Sequence, residues 1–162
     1  MTSALISKET LGLAAEYAVA SELCRRGIYA QLTLGNRKST DLLVDAEDGK
    51  MLCVQVKAKQ KKEWPGLKGI SGTAKLLVLV DYEKKELHDR PDFFILTPSD
   101  WEEFIRHNLI NTGMVESGKV TLDKNFVPTF QDGWVGMGVK ADQVTKHREC
   151  WKKVTELLSK SP

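Results

Sequence analysis

Residues 40 to 58 hold two aliphatic runs, TDLLVDA (40 to 46) and MLCVQVKA (51 to 58), separated only by Glu47-Asp48-Gly49-Lys50. Runs of this length rich in Leu and Val read as strands, and Asp-Gly turn chemistry closes them into a hairpin. A third run, KLLVLVDY at 75 to 82, has the length of a strand buried on both faces. DFFILT at 92 to 97 follows as a further strand. The early strands succeed one another without crossover helices, which disfavours a purely parallel, doubly wound sheet. The expected fold class is α/β (or α+β), with a central mixed β-sheet flanked by α-helices.

The remaining segments fit around that sheet. Residues 8 to 27 read as a helix with Gly27 as its C-cap. Residues 29 to 34 form a short strand, and 35 to 39 a polar turn. Residues 59 to 74, rich in Lys and Gly, read as a loop. Ser99 and Glu102 have capping-box spacing, so a helix is expected over 100 to 111. Residues 112 to 133 look irregular, and 134 to 139 read as a short strand. The final helix is expected over 142 to 159, where Val144, Arg148, Trp151, Val154 and Leu158 keep helical spacing. A chain of 162 residues suits a single domain, 1–162, with a motif core over about 8–97 and a helical extension over about 98–162.

Several function classes fall away. At 41% hydrophobic and 28% charged residues, the chain is neither disordered nor collagen-like. The longest aliphatic run, Leu76 to Val80, is far short of the ~20 apolar residues of a membrane span. The N-terminal stretch carries Lys8, Glu9, Glu16 and Glu22 and lacks a signal peptide's apolar core, so a cytoplasmic location is expected. Cys24, Cys53 and Cys150 form no CxxC pair, which speaks against a disulfide framework or a cysteine zinc site. No GxGxxG, GxxxxGK[ST] or GxSxG motif occurs. A net charge of +2 does not by itself mark a nucleic-acid binder. The local run Lys57, Lys59, Lys61, Lys62 and Lys68, opposed only by Glu63, has two readings: a solvated strand end, or a phosphate-contacting patch.

Three features converge on one chemistry. Glu16 is the only charge in a helical stripe of Gly12, Val19, Ala20 and Leu23. The alternative is a stripe edge at which Glu16 simply reaches solvent. Asp41 opens a strand, where Asp is disfavoured, although a strand-entry residue bonding the turn is common. Gln55 and Lys57 share one face of their strand while Val54 and Val56 share the other. The hairpin places Asp41 opposite residues 55 to 57, and an odd-length loop would set it beside Gln55 or Lys57. Two carboxylates, an amide oxygen and an ammonium in one cluster suit a hard dication such as Mg²⁺ or Mn²⁺.

The order Glu16 … Asp41 … Gln55-x-Lys57 resembles the PD-(D/E)xK nuclease superfamily, the restriction-endonuclease-like fold. The segments GLAAEYAVASELCRRGIYA, STDLLVDA and CVQVKAK are similar to its Holliday-junction-resolvase branch and to small uncharacterised prokaryotic members. The segment Trp64-Pro65-Gly66-Leu67-Lys68-Gly69-Ile70 resembles a loop of those members, and the resemblance spans roughly residues 10 to 70. It implies a Mg²⁺-dependent (or Mn²⁺-dependent) endonuclease acting on DNA. Asp41 would then be the central metal ligand, with Gln55, the carbonyl of Val56 and Glu16 completing the shell and Lys57 as catalytic lysine. Lys38, Lys59, Lys61, Lys62, Lys68 and Trp64 are the candidate nucleic-acid contacts, and a homodimer would supply two cuts. Thr40 stands where the family has proline, and Gln55 where it has Glu or Asp. The neutral amide keeps open a catalytically inactive nucleic-acid-binding or partner-binding module on the same fold.

Overall fold

Ser7 opens the first helix: its hydroxyl oxygen accepts the Thr10 N–H at 3.2 Å and caps a free helical donor. The computed structural model describes residues 5–34, 39–45 and 48–159. Helix α1 spans Lys8–Arg25 and buries Leu11, Ala15, Val19 and Leu23 along one stripe. It ends two residues before the expected Gly27. Gly27 sits at φ 75°, and the Gly27 and Ile28 N–H groups return to Cys24 and Leu23 carbonyls at 3.0 Å each. That double return is a Schellman stop, which needs the left-handed residue that glycine supplies.

The main sheet has five strands. Strands β1 (Ala30–Leu32), β2 (Leu42–Asp45) and β3 (Met51–Lys59) pair antiparallel in sequence. Strand β5 (Lys75–Asp81) lies parallel to β3, and β6 (Asp92–Leu96) returns antiparallel, so the sheet is mixed. The apolar run of β5 has a direct cause. Leu76, Val78 and Val80 join one core with α1, while Leu77 and Leu79 join a second core on the opposite face. A strand covered on both faces has no side for polar alternation.

The 59–74 segment, expected as a loop, contains strand β4 (Glu63–Leu67). It pairs with β9 (Met137–Lys140), far along the chain, a partner that no local signal announces. Helix α2 (Pro98–Ile105) starts two residues earlier than expected, because the capping box is formed by Thr97 and Asp100 and not by Ser99 and Glu102. It continues as a π-helical turn over Arg106–Ile110. Strands β7 (Val120–Leu122) and β8 (Pro128–Phe130) form a hairpin within the segment expected to be irregular. The last helix is also shorter than expected: α3 spans Lys152–Ser159, preceded by two 3₁₀ turns. Phe94 on edge strand β6 bridges Arg148, and the Glu149 N–H donates to Phe93 O at 2.9 Å. That open strand edge holds residues 148 and 149 out of the helix. The region after residue 98 is therefore not a helical extension alone, since β9 and α2 both build the second core. Among the described residues no helix is long and apolar enough to cross a membrane.

An ion network around the buried Glu22 borders the first core. Glu22 receives Arg90 Nη2 at 2.9 Å and Arg26 Nη1 at 2.6 Å, and Arg90 also donates to Glu149 at 2.6 Å. The Arg90 hydrogen bond is the largest cause holding the Glu22 carboxyl at about 2, against an ordinary 4.5. A depressed carboxyl stabilises the fold above its unfolded pKa and loses that contribution as pH falls through the folded value. The melting temperature of wild type is therefore expected to fall between pH 4.5 and about 2 more steeply than that of Glu22→Gln, as read by circular dichroism. Parallel profiles would remove Glu22 from the acid limb.

Candidate active site

Strand β2 begins at Leu42, directly opposite Val54 of β3, and Asp45 faces Met51 across a connection of residues 46–50. Carried one step further, this register sets Asp41 opposite Gln55. The backbone holds Asp41 there: its N–H donates to Val54 O at 2.9 Å, and its carbonyl accepts the Thr33 N–H at 3.0 Å. Thr33 Oγ1 also donates to Thr40 O at 2.8 Å. The hydroxyl thus clamps the entry to β2 from the segment just after Leu32.

The β3 backbone then makes a notch. Cys53 donates to Ala74 O, and Lys59 O accepts from Tyr82, both on the β5 side. Odd residues of β3 therefore turn their N–H and C=O toward β5, and even residues turn theirs toward β2. At Val56 the regular β2 pairing has ended. Its N–H is satisfied by the side chain of Asp41, whose Oδ2 accepts it at 2.7 Å. The Val56 carbonyl turns to the same side. A carboxylate, fixed by a charge-assisted hydrogen bond, and a carbonyl oxygen thus share the open end of the hairpin.

Side-chain alternation distributes the other candidates. Leu52, Val54 and Val56 are buried in the core that α1 covers, whereas Gln55 is half-buried and Lys57 exposed on the opposite face. Glu16 approaches from the helix side and is half-buried. Burial raises its carboxyl above the usual range, the Asp41 charge raises it further, and Lys57 opposes both. Asp41 and Lys57 thus both lie within electrostatic reach of Glu16.

This donor set suits a hard divalent cation of modest protein coordination. Mg²⁺ commonly takes one or two carboxylates and keeps water or phosphate oxygens elsewhere. Glu16 and Asp41 would offer two carboxylates to such an ion, and Gln55 and Val56 neutral oxygens. No group of three or more His, Cys, Asp or Glu residues suited to a metal occurs among the described residues.

The candidate nucleic-acid contacts separate into two groups. Lys61, Lys62 and Lys68 are exposed, and Lys38 lies outside the described residues. Lys59 is 3% exposed, with Nζ at 2.7 Å from Asp81 and 2.8 Å from Glu83. It is an internal ion-pair partner, not a phosphate contact, because its charge is already neutralised away from water. Trp64 is 1% exposed; its indole N–H donates to Val80 O at 3.1 Å, and its ring meets Phe94 edge-on at 5.7 Å. It cannot stack on a base without leaving the second core. Gly69 follows Lys68 at φ 75°, and a Cβ there would lie 2.0 Å from the Trp101 ring, so glycine is required at this turn. Thr33 was missed by sequence reasoning: a threonine in a strand is ordinary, and only its bond to residue 40 reveals its role.

Fold and site together define a mixed α/β domain with two carboxylates and a lysine gathered at the open end of a hairpin. Comparison with protein-family models and with curated proteins gives no match. Among solved structures the chain is similar to a bacterial homing endonuclease, with 22% identity and a TM-score of 0.41. That alignment covers 56% of this chain and 69% of the other.

Proposed function

We propose that the protein is a Mg²⁺-dependent (or Mn²⁺-dependent) endonuclease of the PD-(D/E)xK type that hydrolyses DNA phosphodiester bonds. The observation that carries this reading is the 2.7 Å bond from the Val56 N–H to Asp41 Oδ2. It fixes the aspartate against the Gln55-Val56-Lys57 segment, the arrangement the sequence pattern calls for. Asp41, Gln55, Val56 and Glu16 would hold the ion. When bound, the ion lowers the pKa of water and offsets charge on the phosphate. Lys57, exposed on the strand that follows Asp41 in the hairpin, would hold the attacking water and stabilise the phosphate's developing negative charge. Asp41 and Glu16 orient the site, and Gln55 contributes an uncharged oxygen in place of a third carboxylate.

The test is cleavage of linear, branched and single-stranded DNA by purified protein, with Mg²⁺, with Mn²⁺ and with chelator. Cleavage that needs the dication and disappears in Lys57→Ala supports the reading. Gln55 favours a second reading, an inactive module that only binds DNA. A salt-dependent shift of DNA with no cleavage would select that module, provided Asp41→Ala leaves the shift unchanged. Sedimentation of wild type with DNA would report the homodimer expected of a nuclease that makes two cuts.

A further inference from the structure

A groove of 1320 Å³ runs along the seam between the first turns of α1 and the far end of β3. Leu11, Ala14, Ala58, Pro65, Tyr82 and Leu87 give it a mainly aliphatic lining. Neither Glu16, Asp41, Gln55 nor Lys57 lines it, so it is distinct from the candidate active site. One wall is pinned: the Ile6 N–H donates to Gln60 Oε1 at 3.2 Å, and Gln60 Nε2 donates to Ile6 O at 2.8 Å.

The rim is cationic. Lys8, Lys61, Lys62, Lys84 and Lys140 border the groove, and none is ion-paired among the described residues. Of the bordering acids, Glu83 is held by Lys59 at 2.8 Å, and Asp89 accepts the Glu86 N–H at 2.9 Å. Glu63, Glu86 and Asp89, whose backbone hydrogen bond leaves its charge in place, oppose five lysines without an ion pair.

We propose that this groove docks an acidic amphipathic helix of a partner protein. The volume exceeds the ~300–1,000 Å³ of ordinary small-molecule sites and suits several aliphatic side chains at once. Leucines at i, i+3 or i+4, and i+7 would fill the floor, and flanking carboxylates would meet the lysine rim. A single-stranded nucleic acid would meet the same lysines but needs aromatic platforms for its bases, and the lining offers only Tyr82. The proposal does not rest on the nuclease reading, although Lys61 and Lys62 are shared with its candidate nucleic-acid contacts.

The probe is a fluorescein-labelled helical peptide of leucine and glutamate with that spacing, read by fluorescence anisotropy. A lysine-for-glutamate version and a labelled oligothymidylate are the comparison ligands. One variant, Ala14→Glu, sets a carboxylate on the exposed helix position that lines the groove. A second, Lys8→Glu/Lys84→Glu/Lys140→Glu, reverses the rim without touching the core, and thermal unfolding confirms that each is folded. The glutamate peptide is expected to bind wild type, to bind each folded variant ~10-fold or more weakly, and to outbind the lysine peptide. Failure of the glutamate peptide to bind wild type, or equal binding to wild type and folded variants, overturns the proposal. So does an oligothymidylate that binds through this rim when the peptide does not. Asp41→Ala is expected to leave peptide binding unchanged, so failure here and failure of the nuclease reading are separate results.

Discussion

Asp41→Asn is expected to abolish Mn²⁺ binding in isothermal titration and to lower DNA cleavage by about 10²–10³-fold or more, the scale of losing a group that stabilises developing charge. Its stability is expected to stay near wild type. The reason lies in the two jobs of this carboxylate. One oxygen satisfies the Val56 N–H at 2.7 Å, and an asparagine oxygen can accept that bond as well. The negative charge is what the asparagine removes, and it is the charge that a hard dication requires. Asp41→Ala adds a second effect: it strands the Val56 N–H, at a cost of about 1–3 kcal/mol if no water replaces the lost oxygen. Comparing the two variants separates strand entry from ion binding. If Asp41→Asn holds Mn²⁺ as wild type does, Asp41 is only the residue that ends the hairpin.

Lys59→Ala is expected to destabilise the fold by about 3–5 kcal/mol, because it leaves Asp81 and Glu83 facing a cavity without their cation. Urea unfolding measures this directly. The Nζ group sits 5.0 Å above the Trp64 ring and donates to Lys61 O at 3.0 Å, so the loss reaches the β3–β4 turn and the second core. Lys61→Ala, two residues on and exposed, is the contrast: its stability should stay within about 0.5 kcal/mol of wild type. The two lysines look alike in the sequence. Unchanged stability of Lys59→Ala together with weakened DNA binding would return Lys59 to the phosphate-contacting patch.

The difference between those lysines shows where sequence reading stops. Alternation along MLCVQVKA assigns Val54 and Val56 to one face and Gln55 and Lys57 to the other, and the burial pattern agrees. The hairpin register is also local, since an odd connection sets Asp41 opposite Gln55. Lys59 continues the exposed side of that alternation yet is buried, because Asp81, Glu83 and Trp64 arrive from later in the chain. Trp64 and β4 were expected in a loop. Their strand exists only because β9 supplies hydrogen-bond partners. The last helix reads as continuous in spacing but is shortened by the bridge from Arg148 to the edge of β6.

The sequence by itself therefore determined the mixed sheet, the hairpin, the first helix with its glycine stop, and the grouping of Asp41 with the Gln55-x-Lys57 strand. Each rests on interactions between residues close in the chain: period-two alternation, turn chemistry and capping. Only the tertiary structure decided which lysines are free, that Thr33 clamps the backbone at Asp41, and that an aliphatic groove opens beside α1. Burial and ion pairing across long stretches of chain have no local signature, because the desolvation that fixes them arises only when the layers pack.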